Sequence, residues 1–119
     1  MNRKVALLML ERMGYRADPV ADGVEAVAAL GRRSYDVVLM DVQMPEMDGF
    51  EATRRIRREV APARQPFIVA MTAHAIKGYR ERCLEAGMDD YLTKPIERRT
   101  LAASLARAAA GEPRPAVTT

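Results

Sequence analysis

Val37-Val38-Leu39-Met40 is an unbroken apolar run, bounded by Tyr35-Asp36 before it and by a loop containing Pro45 and Gly49 after it. A run so short, apolar at every position instead of at alternate ones, is what an interior strand of a parallel sheet requires, because helices cover both of its faces. The run delivers Asp41. In open parallel sheets, ligands bind outside the carboxyl ends of the strands, so Asp41 is a candidate reactive carboxylate. The plain alternative is that it solvates a loop or caps a helix.

Two later runs end in the same way. Phe67-Ile68-Val69-Ala70-Met71 delivers Thr72, and Tyr91-Leu92-Thr93 delivers Lys94-Pro95. A carboxylate, a hydroxyl and an ammonium converging on one sheet edge suit covalent phosphoryl transfer, in which the carboxylate attacks while Thr72 and Lys94 pair with phosphoryl oxygens.

Between these runs lie helical patterns, so the chain reads as α/β. Ala6, Met9, Leu10 and Met13 share one helix face, and Gly14 is a helix stop. Tyr15 to Val20 reads as a strand that Pro19 interrupts. Asp22 and Asp48 each precede a Glu three residues on, Glu25 and Glu51, which marks two helix starts close to a capping box. A fourth helix ends near Ala86-Gly87. The last helix carries Leu101, Ser104, Leu105 and Ala108 on one face. Residues 1–110 read as one domain, and 111–119, with Pro113 and Pro115, as a disordered tail or linker.

Tyr35 to Gly49, Ala70 to Ala75 and Ala86 to Ile96, in this order and spacing, resemble the receiver domain of two-component response regulators, most of all those attached to hybrid sensor histidine kinases. The resemblance runs from Asn2 to about Ala109. It implies a flavodoxin-like, doubly wound parallel sheet of order 2-1-3-4-5. It also implies that Asp41 is the phosphoacceptor, Thr72 the switch hydroxyl, Tyr91 the switch aromatic and Lys94 the ammonium that contacts the phosphoryl group. The backbone carbonyl of Gln43 would be a metal ligand, and Lys94-Pro95 a cis peptide. The implied partner is a histidine kinase or a histidine phosphotransfer protein. Self-association is expected through the face of the fourth helix, fifth strand and fifth helix, or by strand exchange.

The family pattern opens with a strand ending in two acidic residues that complete a magnesium site, and this sequence instead starts within what resembles the first helix. Glu11, Asp18 and Asp22 do not replace those acids. The missing strand is the central one, and its loss would leave the N–H and C=O groups of two interior strands unpaired, at roughly 1–3 kcal/mol for each buried group. A start codon misplaced within the gene is one expected origin of the gap. Asp41 and one carbonyl would hold Mg²⁺ weakly.

Composition excludes other classes. No apolar stretch approaches the roughly 18 residues a membrane helix needs, and the N-terminal segment is too short and too charged for a signal peptide. A single cysteine, Cys83, excludes an internal disulfide and reads as a small buried hydrophobe in a cytoplasmic protein. The net charge is +3, but Arg54, Arg55, Arg57, Arg58, Arg32, Arg33, Arg98 and Arg99 are dispersed and interleaved with Glu51, Glu59, Glu81 and Glu97. They read as solvated helix faces, not a nucleic-acid surface. His74, the only histidine, lacks a partner at ligand spacing and reads as a loop residue near Thr72. Met44 and Met47 read as loop packing.

The expected function is phosphoacceptance in a phosphorelay, a regulatory role and not an enzymatic one. The alternative is a pseudo-receiver that keeps its protein contacts without phosphorylation. A haloacid dehalogenase-type phosphatase would need a second Asp where Gln43 stands.

Overall fold

The computed structural model describes residues 2–15, 17–20, 22–33, 35–42, 47–61, 65–73, 78–94, 96–108 and 116–118. Helices and strands alternate along it: α1 (Asn2–Arg12), β1 (Ala17–Pro19), α2 (Gly23–Arg32), β2 (Val37–Asp41), α3 (Gly49–Glu59), β3 (Phe67–Thr72), α4 (Tyr79–Ala86), β4 (Asp90–Thr93), α5 (Arg98–Ala108) and β5 (Ala116–Thr118). All strand pairings are parallel, and the sheet order is β1-β5-β2-β3-β4.

The three apolar runs are therefore strands, and their register is continuous. Val37 to Asp41 pair with Phe67 to Met71, and Val69 to Thr72 pair with Asp90 to Thr93. Successive β2 residues serve opposite faces, as the strand period demands. Val38 and Met40 join Ala26, Leu30, Phe50, Ile56 and Cys83 under α2, α3 and α4. Val37 and Leu39 join Leu10, Leu101 and Leu105 under α1 and α5. Full burial on both faces is why the run shows no alternation.

The helix boundaries follow the cap chemistry. Asp22 Oδ1 accepts the Glu25 N–H at 3.0 Å, and Asp48 Oδ1 accepts the Glu51 N–H at 2.9 Å. Each carboxylate thus satisfies a donor that the first helical turn leaves without a partner, and it sits at the positive end of the helix dipole. Helix α4 stops at Gly87, whose φ of 107° belongs to the left-handed region. Pro19 lies within β1 itself, which is tolerated because β1 is an edge strand.

One expectation is corrected. Residues 116–118, placed by the sequence in a disordered tail, form β5, which runs between β1 and β2 in the central position expected to be missing. The physical reason is the slot itself. Two parallel strands with N–H and C=O groups facing the gap between them accept an extended segment whose side chains suit the helices on either face, and Ala116-Val117-Thr118 has the small, β-branched character that such a position tolerates.

Candidate functional site

The carboxyl ends of β2, β3 and β4 form one rim of the sheet, and it carries Asp41, Thr72 and Lys94. Lys94 follows β4, and its backbone N–H donates to the Thr72 carbonyl at 2.7 Å. This bond turns the Lys94 side chain back across β3, where Nζ meets Asp41 Oδ2 at 2.7 Å. Both side chains are mostly buried, Lys94 at 16% and Asp41 at 21% exposure, so solvent screens the pair less than a surface ion pair. Thr72 is buried at the end of β3, one residue beyond Met71, the partner of Asp41.

The loop after Asp41 is held by backbone bonds. The Val42 N–H donates to the Met71 carbonyl at 3.0 Å, and the Gly49 N–H donates to the Val42 carbonyl at 2.9 Å. Gly49 has to be glycine, because a Cβ there would lie 2.6 Å from the Asp41 carbonyl oxygen. The sequence pattern marked Asp48-Gly49 only as a helix start and gave no sign of this close approach.

Tyr91, the expected switch aromatic, is half-buried on β4 and packs against the core beneath α2, α3 and α4. Its neighbour Asp90 sits at the opposite end of β4 from Lys94 and anchors α5. The Ser104 hydroxyl donates to Asp90 Oδ2 at 2.6 Å, Arg107 pairs with the same oxygen, and the Tyr91 N–H donates to Oδ1 at 2.8 Å. Burial alone would raise this carboxyl, but those three donors hold it below the usual carboxylate range.

A second polar hub lies away from the rim. The Arg57 guanidinium donates to the Gly87 carbonyl, Gln65 Oε1, the Pro66 carbonyl and Asp89 Oδ2, all at 2.7–2.8 Å. Arg57 therefore joins α3, the end of α4 and the approach to β3, whereas Arg54 and Arg55 pair with Glu51 on the surface. The sequence grouped all of these as solvated helix cations, and only position on the inner helix face distinguishes Arg57. Burial pushes the Cys83 thiol up, with the Arg82 charge opposing, as suits a packed hydrophobe.

Gln43, Met44, His74 and Pro95 lie outside the described residues, and so do the expected carbonyl ligand and the expected cis peptide. Among the described residues, no group of three or more His, Cys, Asp or Glu side chains is placed to hold a metal ion. Glu11 is exposed on α1, Asp18 bonds to Tyr35 and Arg33, and Asp22 caps α2. With Asp41 as the one carboxylate that the described residues bring to the rim, and already paired to Lys94, the described donors do not fit a dedicated Mg²⁺ site, which needs several hard oxygen ligands in octahedral array. No described helix is long and apolar enough to cross a membrane.

The chain as a whole is similar to known proteins. The chain is 50% identical over 96 residues to the sensor protein GacS of Pseudomonas syringae pv. syringae, covering 79% of this chain and 11% of that one. It is 38% identical over 137 residues to histidine kinase 1 of Arabidopsis thaliana, covering 87% and 11%. The chain thus spans about a tenth of the length of these relatives. The receiver domain of sensor histidine kinase PA1611 from Pseudomonas aeruginosa, whose crystal structure has a magnesium ion coordinated in the active site cleft, superposes with a TM-score of 0.81 at 47% identity, covering 90% of this chain and 87% of that one. The chemotaxis protein CheY4 of Vibrio cholerae superposes with a TM-score of 0.80 at 28% identity, covering 90% and 88%. The sequence pattern of the response regulator receiver domain matches residues 1–106, and with these relatives it shows that the chain belongs to the response regulator receiver domain family.

Proposed function

We propose that Asp41 accepts a phosphoryl group from a phosphohistidine carried by a histidine kinase or a histidine phosphotransfer protein, and that the domain thereby switches its protein contacts in the cytoplasm. The observation that carries the reading is the 2.7 Å pair between Lys94 Nζ and Asp41 Oδ2 at the rim where β3 also ends in Thr72.

An Asp41 carboxylate oxygen attacks phosphorus. The new P–O bond forms as the P–N bond of the donor breaks, and the electron pair stays on the imidazole nitrogen, which then takes a proton. Lys94 moves from the free carboxylate to the phosphoryl oxygens and stabilises the charge spread over them in the transition state. Afterwards the acyl phosphate adds negative charge at the rim, Thr72 donates to it, and Tyr91 repacks on β4. The face of α4, β4 and α5 then changes shape, a local charge event biasing a two-state element. The domain is regulatory and turns over no substrate of its own. The presence of acid, ammonium and hydroxyl together supports an acceptor over a binding module without phosphoryl chemistry. The PA1611 receiver has a magnesium ion coordinated in its active site cleft, and a bound Mg²⁺ would neutralise phosphoryl charge; in this chain we expect Mg²⁺ affinity to be weak.

Intact mass after incubation with a small phosphodonor tests the assignment. The native chain gains one phosphoryl group and Asp41→Asn gains none, while Lys94→Ala slows labelling by about 10²-fold, the size of one removed transition-state donor. Thr72→Ala keeps the label and loses the partner response. Labelling of Asp41→Asn at the native rate would refute the site.

A further inference from the structure

One pattern, Asp-Gly-x-Glu, occurs twice, at Asp22-Gly23-Val24-Glu25 and at Asp48-Gly49-Phe50-Glu51. The caps of α2 and α3 account for the two aspartates but not for the two glycines. Gly23 and Gly49 each open their helix, and neither has the positive φ of Gly14, Gly78 and Gly87. Glycine is a poor helix former, so a helix alone would sooner carry alanine at both places.

Each glycine instead faces a carbonyl. A Cβ on Gly49 would lie 2.6 Å from the Asp41 carbonyl oxygen, and a Cβ on Gly23 would lie 2.6 Å from the Met47 carbonyl oxygen. Gly31, on the same helix as Gly23, has nothing within 4 Å of the equivalent position. The path from Gly23 to the acceptor is short and made of backbone. Met47 is joined through Asp48 to Gly49, whose N–H holds the Val42 carbonyl at 2.9 Å and whose Cα faces the carbonyl of Asp41.

We infer that Gly23 is a positioning residue for phosphoacceptance: the start of α2 is the stop on which the Met47 carbonyl seats, and through Gly49 that seat sets where Asp41 stands relative to Lys94. A methyl group at Gly23 meets a backbone oxygen, which has no rotamer to change, and Ala52 Cβ at 3.1 Å closes the way past it. Helix α2 cannot retreat easily either, because Ala26, Ala29 and Leu30 are buried in the core. Met47 therefore gives way by several tenths of an ångström, and Gly49 moves with it. A misplacement of about 1 Å costs a reacting group roughly 10²-fold in rate, so a shift of this size should cost about tenfold. The rate effect rests on the phosphoacceptor reading of Asp41, whereas the seating of Met47 on Gly23 does not.

Three variants of α2 test this, each read by its labelling rate with a small phosphodonor, its urea midpoint and its backbone amide spectrum. Gly23→Ala is expected to slow labelling about tenfold and to shift the amide signals of Val42 and Gly49. Gly31→Ala adds the same methyl in open space, and Asp22→Ala weakens the helix start without adding an atom near Met47; both keep the native rate to within about twofold and leave those two amides in place. Should Gly23→Ala fail to fold, the Ala52→Gly background removes the 3.1 Å neighbour and leaves Met47 as the remaining clash, and labelling is expected to stay slow there relative to Ala52→Gly alone. Labelling of the Gly23→Ala chain at the native rate overturns the proposal, as does an equal slowing in Asp22→Ala, which would assign the effect to the stability of α2. A native chain that gains no label is a different result: it refutes the phosphoacceptor reading, and the Val42 and Gly49 amides of Gly23→Ala then decide the seating of Met47 by moving or staying.

Discussion

The two halves of the sheet are built differently. From β2 to β4, strands of four to six residues pair rung for rung beneath buried side chains on both faces. From β1 to β5, three-residue strands pair, Ala17 and Asp18 are only half-buried, and Pro19 is exposed. Asp41 stands on the strand where the halves meet. The Asp41 side chain is held by the stronger half through Lys94, and the backbone just after it through the bond from the Val42 N–H to the Met71 carbonyl. The weaker half supplies backbone partners to the lower part of its strand. A site on such a border keeps its chemistry fixed while one flank opens at lower cost, since local opening follows the density of buried contacts.

The largest expected effect breaks this comparison directly. Leu39→Ala empties a fully buried position on β2 and should cost about 2–5 kcal/mol, whereas Ala17→Gly on β1 should cost about 1 kcal/mol or less. Urea midpoints for the two variants decide it, and equal losses would mean that the halves are equally rigid. Next in size is Arg57→Met, which leaves the Gly87 and Pro66 carbonyls and Gln65 without their donor, at about 1–3 kcal/mol. Arg57→Lys should recover less than half of that, because one ammonium cannot serve four acceptors arranged around a planar fork.

The stronger half is also the legible one. Val37 to Met40, Phe67 to Met71 and Tyr91 to Thr93 declare themselves as strands because burial on both faces leaves no polar alternation. Asp41, Thr72 and Lys94 are legible because each directly follows such a run. Gly49 was visible as a residue but not as a contact, since its neighbour, the Asp41 carbonyl, is set by the path of a loop. Arg57 was hidden among four helix arginines that differ only in which face they occupy. Strand β5 was illegible for a deeper reason: Pro113, Pro115 and the absence of a long apolar run read as a tail, and what makes Ala116–Thr118 a strand is a slot formed by residues about eighty to a hundred positions away. Local propensity carries no record of so distant a partner.

A smaller effect sharpens the border at Asp41. Asp48→Ala removes the bond to the Glu51 N–H and should cost about 1 kcal/mol. Asp22→Ala, with the equivalent bond at the start of α2, should cost the same. If Asp48→Ala also slows phosphoryl labelling while Asp22→Ala does not, the start of α3 helps to hold the Asp41 loop in addition to stabilising its own helix.

The smallest effect concerns α5, the element that leads from the strong half to β5. Asp90 ties α5 to β4 through Ser104 and Arg107, and its carboxyl is held below the ordinary value. A group with a depressed folded pKa adds stability that is complete above its unfolded pKa, about 3.9, and is lost as pH falls through the lower folded value. The difference in urea midpoint between the native chain and Asp90→Asn should therefore be constant from about pH 7 to 5 and shrink below about pH 4. The Arg107 side chain is more than half exposed to solvent, although Asp90 is mostly buried, so salt should reduce the difference as well. A midpoint difference that stays constant into the acid range would show that Asp90 acts by shape and hydrogen bonding alone. The tether between α5 and β4 would then be insensitive to protonation, and the seating of β5 at the end of that helix would carry no dependence on acid.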